Sequence, residues 1–407
     1  MKEKETTTNN NQKRLRIVFF ATGAFAVPAM KVICDSGEFD VLCLVTNAEP
    51  PDNPNRQKPS PARLFADEYE IPIFFRENVH SRDFFDFVLL VRPDLLFVCD
   101  FGHILKDRLL DAAILGGVNL HGSLLPKYRG AAPVHWSILN GDEYTGVSII
   151  RMTAKVDAGQ VIAQSPPLAI PPFAILAEVE EILAEYGAKL VLQTLRKMAT
   201  SEQVNIIEQI DSKVTKAPRL KKENGLVNWS GSAVSVFNHY RAMSEWPKSF
   251  TDWVREDGSK VRLILGQILP LDNSFQPVMQ PDFAASNYVP PVLFDAKLDN
   301  LAELRSEPDK TTKPDDKQHK TQNTAQQIKK ERQTQADKTV PQQHSKQPHR
   351  PDWWKPGLVI KADSEHLIIA AGEGAVQILR LQPAGKKMMN AADFLRGNPL
   401  KIGDMLR

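Results

Sequence analysis

Asn119–Leu120–His121–Gly122–Ser123–Leu124–Leu125–Pro126, continued by Lys127–Tyr128–Arg129–Gly130, is the stretch whose reading decides this chain. It grows out of a short run, Gly117–Asn119, that reads as a strand. Residues i and i+2 of a strand point to one face, so Asn119 and His121 can converge on a single reacting atom. An amide N–H donor beside an imidazole suits a reaction that passes through a tetrahedral oxyanion. An isolated Asn-x-His pair more often caps a strand end, and only the surrounding sequence reverses that preference. Further on, Lys155–Val156–Asp157–Ala158–Gly159 supplies a carboxylate that can complete the set.

The sequence before this stretch alternates short apolar runs with helical patterns. Leu15–Ala21, Val41–Thr46 and Leu95–Cys99 read as strands, and Ala26–Asp35, Ser60–Tyr69, Ser81–Val91 and Val134–Leu139 as helices. Such alternation indicates a parallel sheet covered on both faces. Ligands of such sheets bind beyond the carboxyl ends of the strands, which is where Asn119 and His121 fall. Gly146–Met152 and Gly159–Gln164 read as a hairpin that carries Asp157 over the same edge. The turn Phe20–Ala21–Thr22–Gly23–Ala24–Phe25 lacks the three glycines of a dinucleotide fingerprint. Ile175–Met198 has a helical apolar stripe and is expected to close the first domain.

Beyond it, Gln203–Lys222 concentrates Lys213, Lys216, Arg219, Lys221 and Lys222 in a short span. The β-rich runs Arg262–Leu269, Gly357–Lys361, His366–Ala371 and Val376–Gln382 suggest a small barrel. Between them the composition changes. Asp309–Arg350 has almost no large apolar residue, cannot bury enough surface to offset its ordering entropy, and is expected to be disordered.

The 407 residues suffice for two or three domains, and 42% hydrophobic with 25% charged residues is the balance of a globular protein. A formal net charge of +2 does not mark the whole chain as a nucleic-acid binder, so any basic patch is local. Cys34, Cys43 and Cys99 sit in apolar runs without metal or disulfide spacing and read as small buried hydrophobes. No apolar run is long enough to span a bilayer, and residues 1–14 read as a polar, disordered lead-in with no signal-peptide core.

The central stretch, with Asp157, resembles the folate-dependent formyltransferases. Within them, further matches resemble the branch that acts on methionyl-tRNA. They are Arg16–Ile17–Val18–Phe19, Phe25–Ala26–Val27–Pro28, Pro59–Ser60–Pro61, Arg129–Gly130–Ala131–Ala132–Pro133 and Thr145–Gly146–Val147. Leu381–Gln382–Pro383–Ala384–Gly385–Lys386–Lys387–Met388 and Ala392–Asp393–Phe394–Leu395–Arg396–Gly397 resemble that branch's second domain.

The resemblance implies an α/β protein: a Rossmann-like parallel-sheet formyltransferase domain at 15–202, a basic linker at 203–222 and an OB-like barrel at 223–407. The barrel would be interrupted by an insertion at about 272–355. It implies that Asn119, His121 and Asp157 are catalytic and that Ser123, Leu124, Leu125 and Pro126 form a folate-contacting turn. The donor would be 10-formyltetrahydrofolate and the acceptor initiator methionyl-tRNA, with no metal, no membrane, a monomeric state and a cytoplasmic location. Arg56 and Lys58 on the Pro-rich loop, with Arg219, Lys221, Lys222, Lys386 and Lys387, are the candidate tRNA contacts.

In the family the turn after the first strand helps bind the acceptor amino acid. Here Ala21 stands where Gly is common, Gly23 where Pro is common, and Ala24 where an acidic residue is common. His103, His135 and His239 sit in no comparable motif and are expected to be structural or superficial. A sugar-nucleotide formyltransferase would share the central motif but not Gln382–Met388. A purine-pathway enzyme would lack the barrel, and a purely tRNA-binding protein would have no reason to keep Asn119, His121 and Asp157 together.

Overall fold

Strand β1 (Leu15–Ala21) is buried at six of its seven positions, so both of its faces must be covered and it belongs in the middle of a sheet. In the computed structural model, which describes residues 14–47, 59–76, 78–200, 206–278 and 353–407, it does. The lead-in up to residue 13, Arg56, Lys58 and the polar segment Asp309–Arg350 lie outside the described residues.

In chain order, β1 is followed by α1 (Val27–Ser36), β2 (Phe39–Thr46), α2 (Pro61–Glu68), β3 (Ile73–Phe75), α3 (Arg82–Val91) and β4 (Leu95–Cys99). Then come α4 (Asp107–Leu110), β5 (Gly117–His121), α5 (Pro133–Leu139), β6 (Tyr144–Thr145), β7 (Ser148–Arg151), β8 (Val161–Gln164), β9 (Leu168–Ala169) and the long α6 (Leu176–Ala199). The main sheet has the order β3-β2-β1-β4-β5-β7-β8. Its first five strands are parallel, and β7 and β8 add antiparallel as the expected hairpin.

The chain winds outward from β1 to β3 and then returns to the other side at β4. That reversal opens a crevice at the carboxyl ends of β1 and β4, the place where such sheets bind ligands. Alternate side chains fill two apolar layers. Ile17, Phe19, Leu95, Phe97 and Leu120 pack with α1 and α6, while Val18, Phe20, Leu96 and Val98 pack with α3 and α4. Phe19 and Phe97 meet edge to face, ring centroids 5.8 Å apart. Fully burying each such side chain contributes about 1.5–3 kcal/mol, which fixes the strand ends that carry the polar residues.

The second core is antiparallel. It contains α7 (Ala233–Ala242), β10 (Phe250–Val254), β11 (Lys260–Leu271), β12 (Val359–Ala362), β13 (Leu367–Ala370), β14 (Ala375–Pro383), β15 (Met389–Asn390), α8 (Ala391–Gly397) and β16 (Met405–Leu406). The strand order is β12-β13-β14-β11-β10-β16, with β15 on β14. A bridge between Leu358 and Met405 brings the two edge strands together, so the sheet is a nearly closed barrel. Register shifts around Gln267 bend β11, as closure requires. Trp253, Leu263, Ile268, Ile378 and Phe394 fill the interior.

The expected strands and helices are present within a few residues of their expected bounds, and β3, α4, β6, β9, α7, β10, β15, α8 and β16 are additional. The sequence of α7 hides its helix, because Val234, Val236, Phe237 and Tyr240 are weak helix formers. The helix is held by its Ser232 cap, whose hydroxyl accepts from the Ser235 N–H at 3.1 Å, and by burial. Arg241 of α7 reaches across to donate to the carbonyls of Pro171 and Ala174, just ahead of α6, at 3.2 and 3.1 Å.

Candidate active site

Strand β5 continues through His121, so Asn119 and His121 project from the same face at its carboxyl end. Asp157 sits in the loop between β7 and β8 and meets both. The Asn119 Nδ2 donates to Asp157 Oδ1 at 3.5 Å, and His121 Nδ1 lies 3.6 Å from Asp157 Oδ2. His121 is 5% exposed and the Asp157 side chain 13%, so little water competes for these contacts. His121 Nε2 lies 2.9 Å from the Tyr128 carbonyl. A carbonyl only accepts, so Nε2 carries a hydrogen there and Nδ1 is the nitrogen left to exchange a proton.

The residues that hold this set come from far along the chain. The Gly130 N–H donates to Asp157 Oδ2 at 2.8 Å. Gly130 has φ of +132°, and a Cβ there would lie 2.3 Å from the Ala217 carbonyl oxygen, so a side chain has neither the conformation nor the room. Gln209 donates to the carbonyls of Asp157 and Gly159 at 2.8 and 2.7 Å, and accepts from Arg129 Nε at 2.9 Å. The segment 206–220 is therefore laced to both loops of the site: Ala217 N–H donates to the Arg129 carbonyl, and Arg129 N–H to that of Thr215.

A cavity of about 480 Å³ opens over these groups, with Asn119, His121 and Asp157 on its wall. Ser123, Leu124, Leu125 and Pro126 are not on that wall. The Ser123 hydroxyl donates to the Lys127 carbonyl at 2.6 Å, Leu125 is buried against Ile150 and Val161, and the Leu125–Pro126 peptide is cis. Arg219 does line the cavity, whereas Lys221, Lys222, Lys386 and Lys387 are exposed elsewhere on the surface.

His103 and His135 both line the cavity. His103 bonds Asn47 Oδ1 at 2.9 Å, and burial pushes His135 down to about 4, so its imidazole is neutral at physiological pH. The fold brings them there from the ends of other elements, which no local motif announces. His239 does stay structural, between the Asn224 carbonyl and the Ser249 hydroxyl. The sequence also gave no sign of two cavity carboxyls, Asp100 and Glu180. Desolvation by the surrounding wall raises both, although Asp100 remains exposed at the surface and Glu180 is half-buried, and Glu180, with Asp100 and then Glu245 adding repulsion, reaches about 8. Among the described residues no three or more His, Cys, Asp or Glu side chains gather to hold a metal ion. Cys43 and Cys99 are buried, Cys34 is half-buried, and all three are free thiols.

A parallel sheet with its polar set at the crevice, joined to a nearly closed barrel, is the architecture of a formyl transferase. Residues 15–195 match the family model described as formyl transferase, and residues 219–279 with 320–399 match that of its C-terminal domain. A methionyl-tRNA formyltransferase of Desulforamulus reducens is 35% identical over 240 residues, covering 59% of this chain and 75% of that protein. One from Bacillus cytotoxicus is 27% identical over 394 residues, covering 96% and 98%.

The chain belongs to the methionyl-tRNA formyltransferase family, whose members are one-carbon transferases. Among solved structures, a HypX variant from Aquifex aeolicus matches at a TM-score of 0.50 and 15% identity, over 94% of this chain and 48% of that one. This chain thus spans about half of HypX. WlaRD, a sugar 3N-formyl transferase solved with dTdp and 5-N-formyl-THF, matches at 0.50 and 14%, over 92% and 99%. These two likenesses concern the fold alone. No helix among the described residues is long and apolar enough to cross a membrane.

Proposed function

We propose that this protein transfers the formyl group of 10-formyltetrahydrofolate to the α-amino group of methionyl initiator tRNA, with Asn119, His121 and Asp157 acting at the reacting atoms. The observation that carries this reading is the convergence of Asn119 and His121 on Asp157, at 3.5 and 3.6 Å, at the crevice. The amine lone pair attacks the formyl carbon, and the carbonyl π electrons move to oxygen. Asn119 Nδ2–H and protonated His121 Nδ1 donate to that oxyanion. Collapse re-forms the carbonyl and breaks the bond to the folate nitrogen. The proton lost by the amine goes to Asp157, directly or through water, and the leaving nitrogen receives one from His121.

Ser123–Pro126 is proposed as the folate-contacting turn. Arg219, Lys221, Lys222, Lys386 and Lys387, with Arg56 and Lys58, are proposed to hold tRNA phosphates. Arg219 alone of the first five reaches the cavity, which suits the acceptor end. We take residues 15–202 as the catalytic domain, 203–222 as the linker and 223–407 as the tRNA-binding domain of a cytoplasmic monomer. The test is single-turnover formylation by Asn119→Ala, His121→Ala and Asp157→Ala. Each should fall at least about a hundredfold with its melting transition retained. Near-wild-type turnover in any of them removes that residue from the mechanism.

A further inference from the structure

Asp157 has φ of +49°, a left-handed conformation that a residue with a side chain keeps only when its surroundings hold it there. Its loop is tightly closed, since a Cβ on Gly159 would lie 1.7 Å from the Arg151 carbonyl oxygen. The Gly130 N–H fixes the carboxylate at 2.8 Å. The backbone is fixed by Gln209, which lies beyond α6 in the segment leading to the barrel. The contacts of Asn119 and His121 with Asp157, at 3.5 and 3.6 Å, are at the long end of hydrogen bonding. A small outward shift of the loop therefore breaks both.

Gln209 staples this loop. Carbonyls only accept, so those of Asp157 and Gly159 take the two hydrogens of its Nε2, at 2.8 and 2.7 Å. Its Oε1 is left to accept from Arg129 Nε at 2.9 Å. One side chain thus grips the turn that carries Asp157 and the residue next to Gly130. Gln209 is half-buried between exposed Glu208 and Ile210, so it turns inward from an exposed run. Just before it, Ile207 and Val161 exchange two backbone hydrogen bonds of 2.9 Å, which seat the segment on the start of β8. Gln209 is not on the cavity wall.

We infer that Gln209 is a positioning residue for the reaction, holding the Asp157 turn against Asn119 and His121, so that the catalytic unit extends into the segment after α6. This rests on the formyl-transfer reading. Gln209 touches no reacting atom and acts through Asp157. Without its two donors the turn relaxes from the left-handed conformation and carries the carboxylate away from His121 Nδ1. A misplacement of about 1 Å can cost about a hundredfold in rate. Substrate binding does not use Gln209 and is left as it was.

The experiment is steady-state formylation of methionyl-tRNA from 10-formyltetrahydrofolate by the full chain, with a melting curve for each variant. Gln209→Glu keeps the acceptor for Arg129 and removes both donors. Gln209→Met removes all three bonds without adding charge. Each should lower kcat at least about tenfold, with KM for both substrates within about twofold of wild type. Each is then combined with Asp157→Ala. A residue that acts through Asp157 has nothing left to position there, so the double variants should turn over like Asp157→Ala alone. Wild-type kcat in both variants, a raised KM with kcat intact, or loss of the melting transition in both overturns the proposal. So does a loss in the Asp157→Ala background as large as that in wild type. Wild-type formylation of methionyl-tRNA and its loss in Asp157→Ala, read in the same assay, test the underlying reading separately.

Discussion

At the scale of single residues, the site separates groups that a motif reveals from groups that only the fold assembles. Asn119 and His121 are two apart on one strand, so their convergence follows from strand geometry alone, and Asp157 was legible because its surroundings form a recognisable loop. Glu180 was not, because an acidic residue early in an amphipathic helix looks like any solvated one. Its environment gives it a measurable signature. Its carboxyl is raised from 4.5 to about 8, with burial the largest cause. Below the lower value both folded and unfolded chains hold the proton. Between the two, the folded chain keeps a proton that the unfolded chain has released, so this group's contribution to stability falls as pH rises. Glutamine carries no such proton. Glu180→Gln should therefore melt progressively higher than wild type between about pH 5 and pH 9. Parallel melting curves across that range would show that Glu180 is solvated as an ordinary carboxylate.

At the scale of elements, the strands of the parallel sheet could be read because they are buried on both faces and therefore continuously apolar. The barrel was harder. Its strands alternate, β10 is short, and α7 is built from residues that favour strands elsewhere. The coupling of the linker to the site was also illegible. Gln209 and Ala217 act on Asp157 and Arg129 through contacts between residues about 50 to 90 apart in sequence, and these pair only after folding. The Arg129–Gly130 loop is where this coupling can be tested. Gly130→Ala would force a left-handed φ on a residue with a side chain and press it against the Ala217 carbonyl, a strain of about 1–3 kcal/mol. We expect a lower melting temperature and a formylation rate reduced about tenfold or more, as the Gly130 N–H moves away from Asp157. A variant that melts and turns over like wild type would show that the loop adjusts without disturbing the site.

At the scale of the whole molecule, the proposed reacting groups belong to the parallel-sheet half, and most of the candidate phosphate contacts belong to the linker and the barrel. Lys386 and Lys387 are both exposed, in the turn between β14 and β15. Phosphate contacts release counterions, so tRNA affinity should fall steeply with salt, and neutralising both lysines should flatten the slope by about two contacts' worth. Folate affinity should not change. An unaltered slope in Lys386→Gln with Lys387→Gln would place the phosphate track elsewhere. Such a division of labour suits an acceptor whose reacting end is small and whose body is a polyanion, and an amino-sugar nucleotide would need no such track. Formyl transfer is therefore best measured with the intact protein and 10-formyltetrahydrofolate, offering methionyl-tRNA and an amino-sugar nucleotide in parallel. Rapid formylation of the charged tRNA, with the sugar amine left untouched, is the predicted result. Formylation of the sugar nucleotide with methionyl-tRNA unmodified would contradict it.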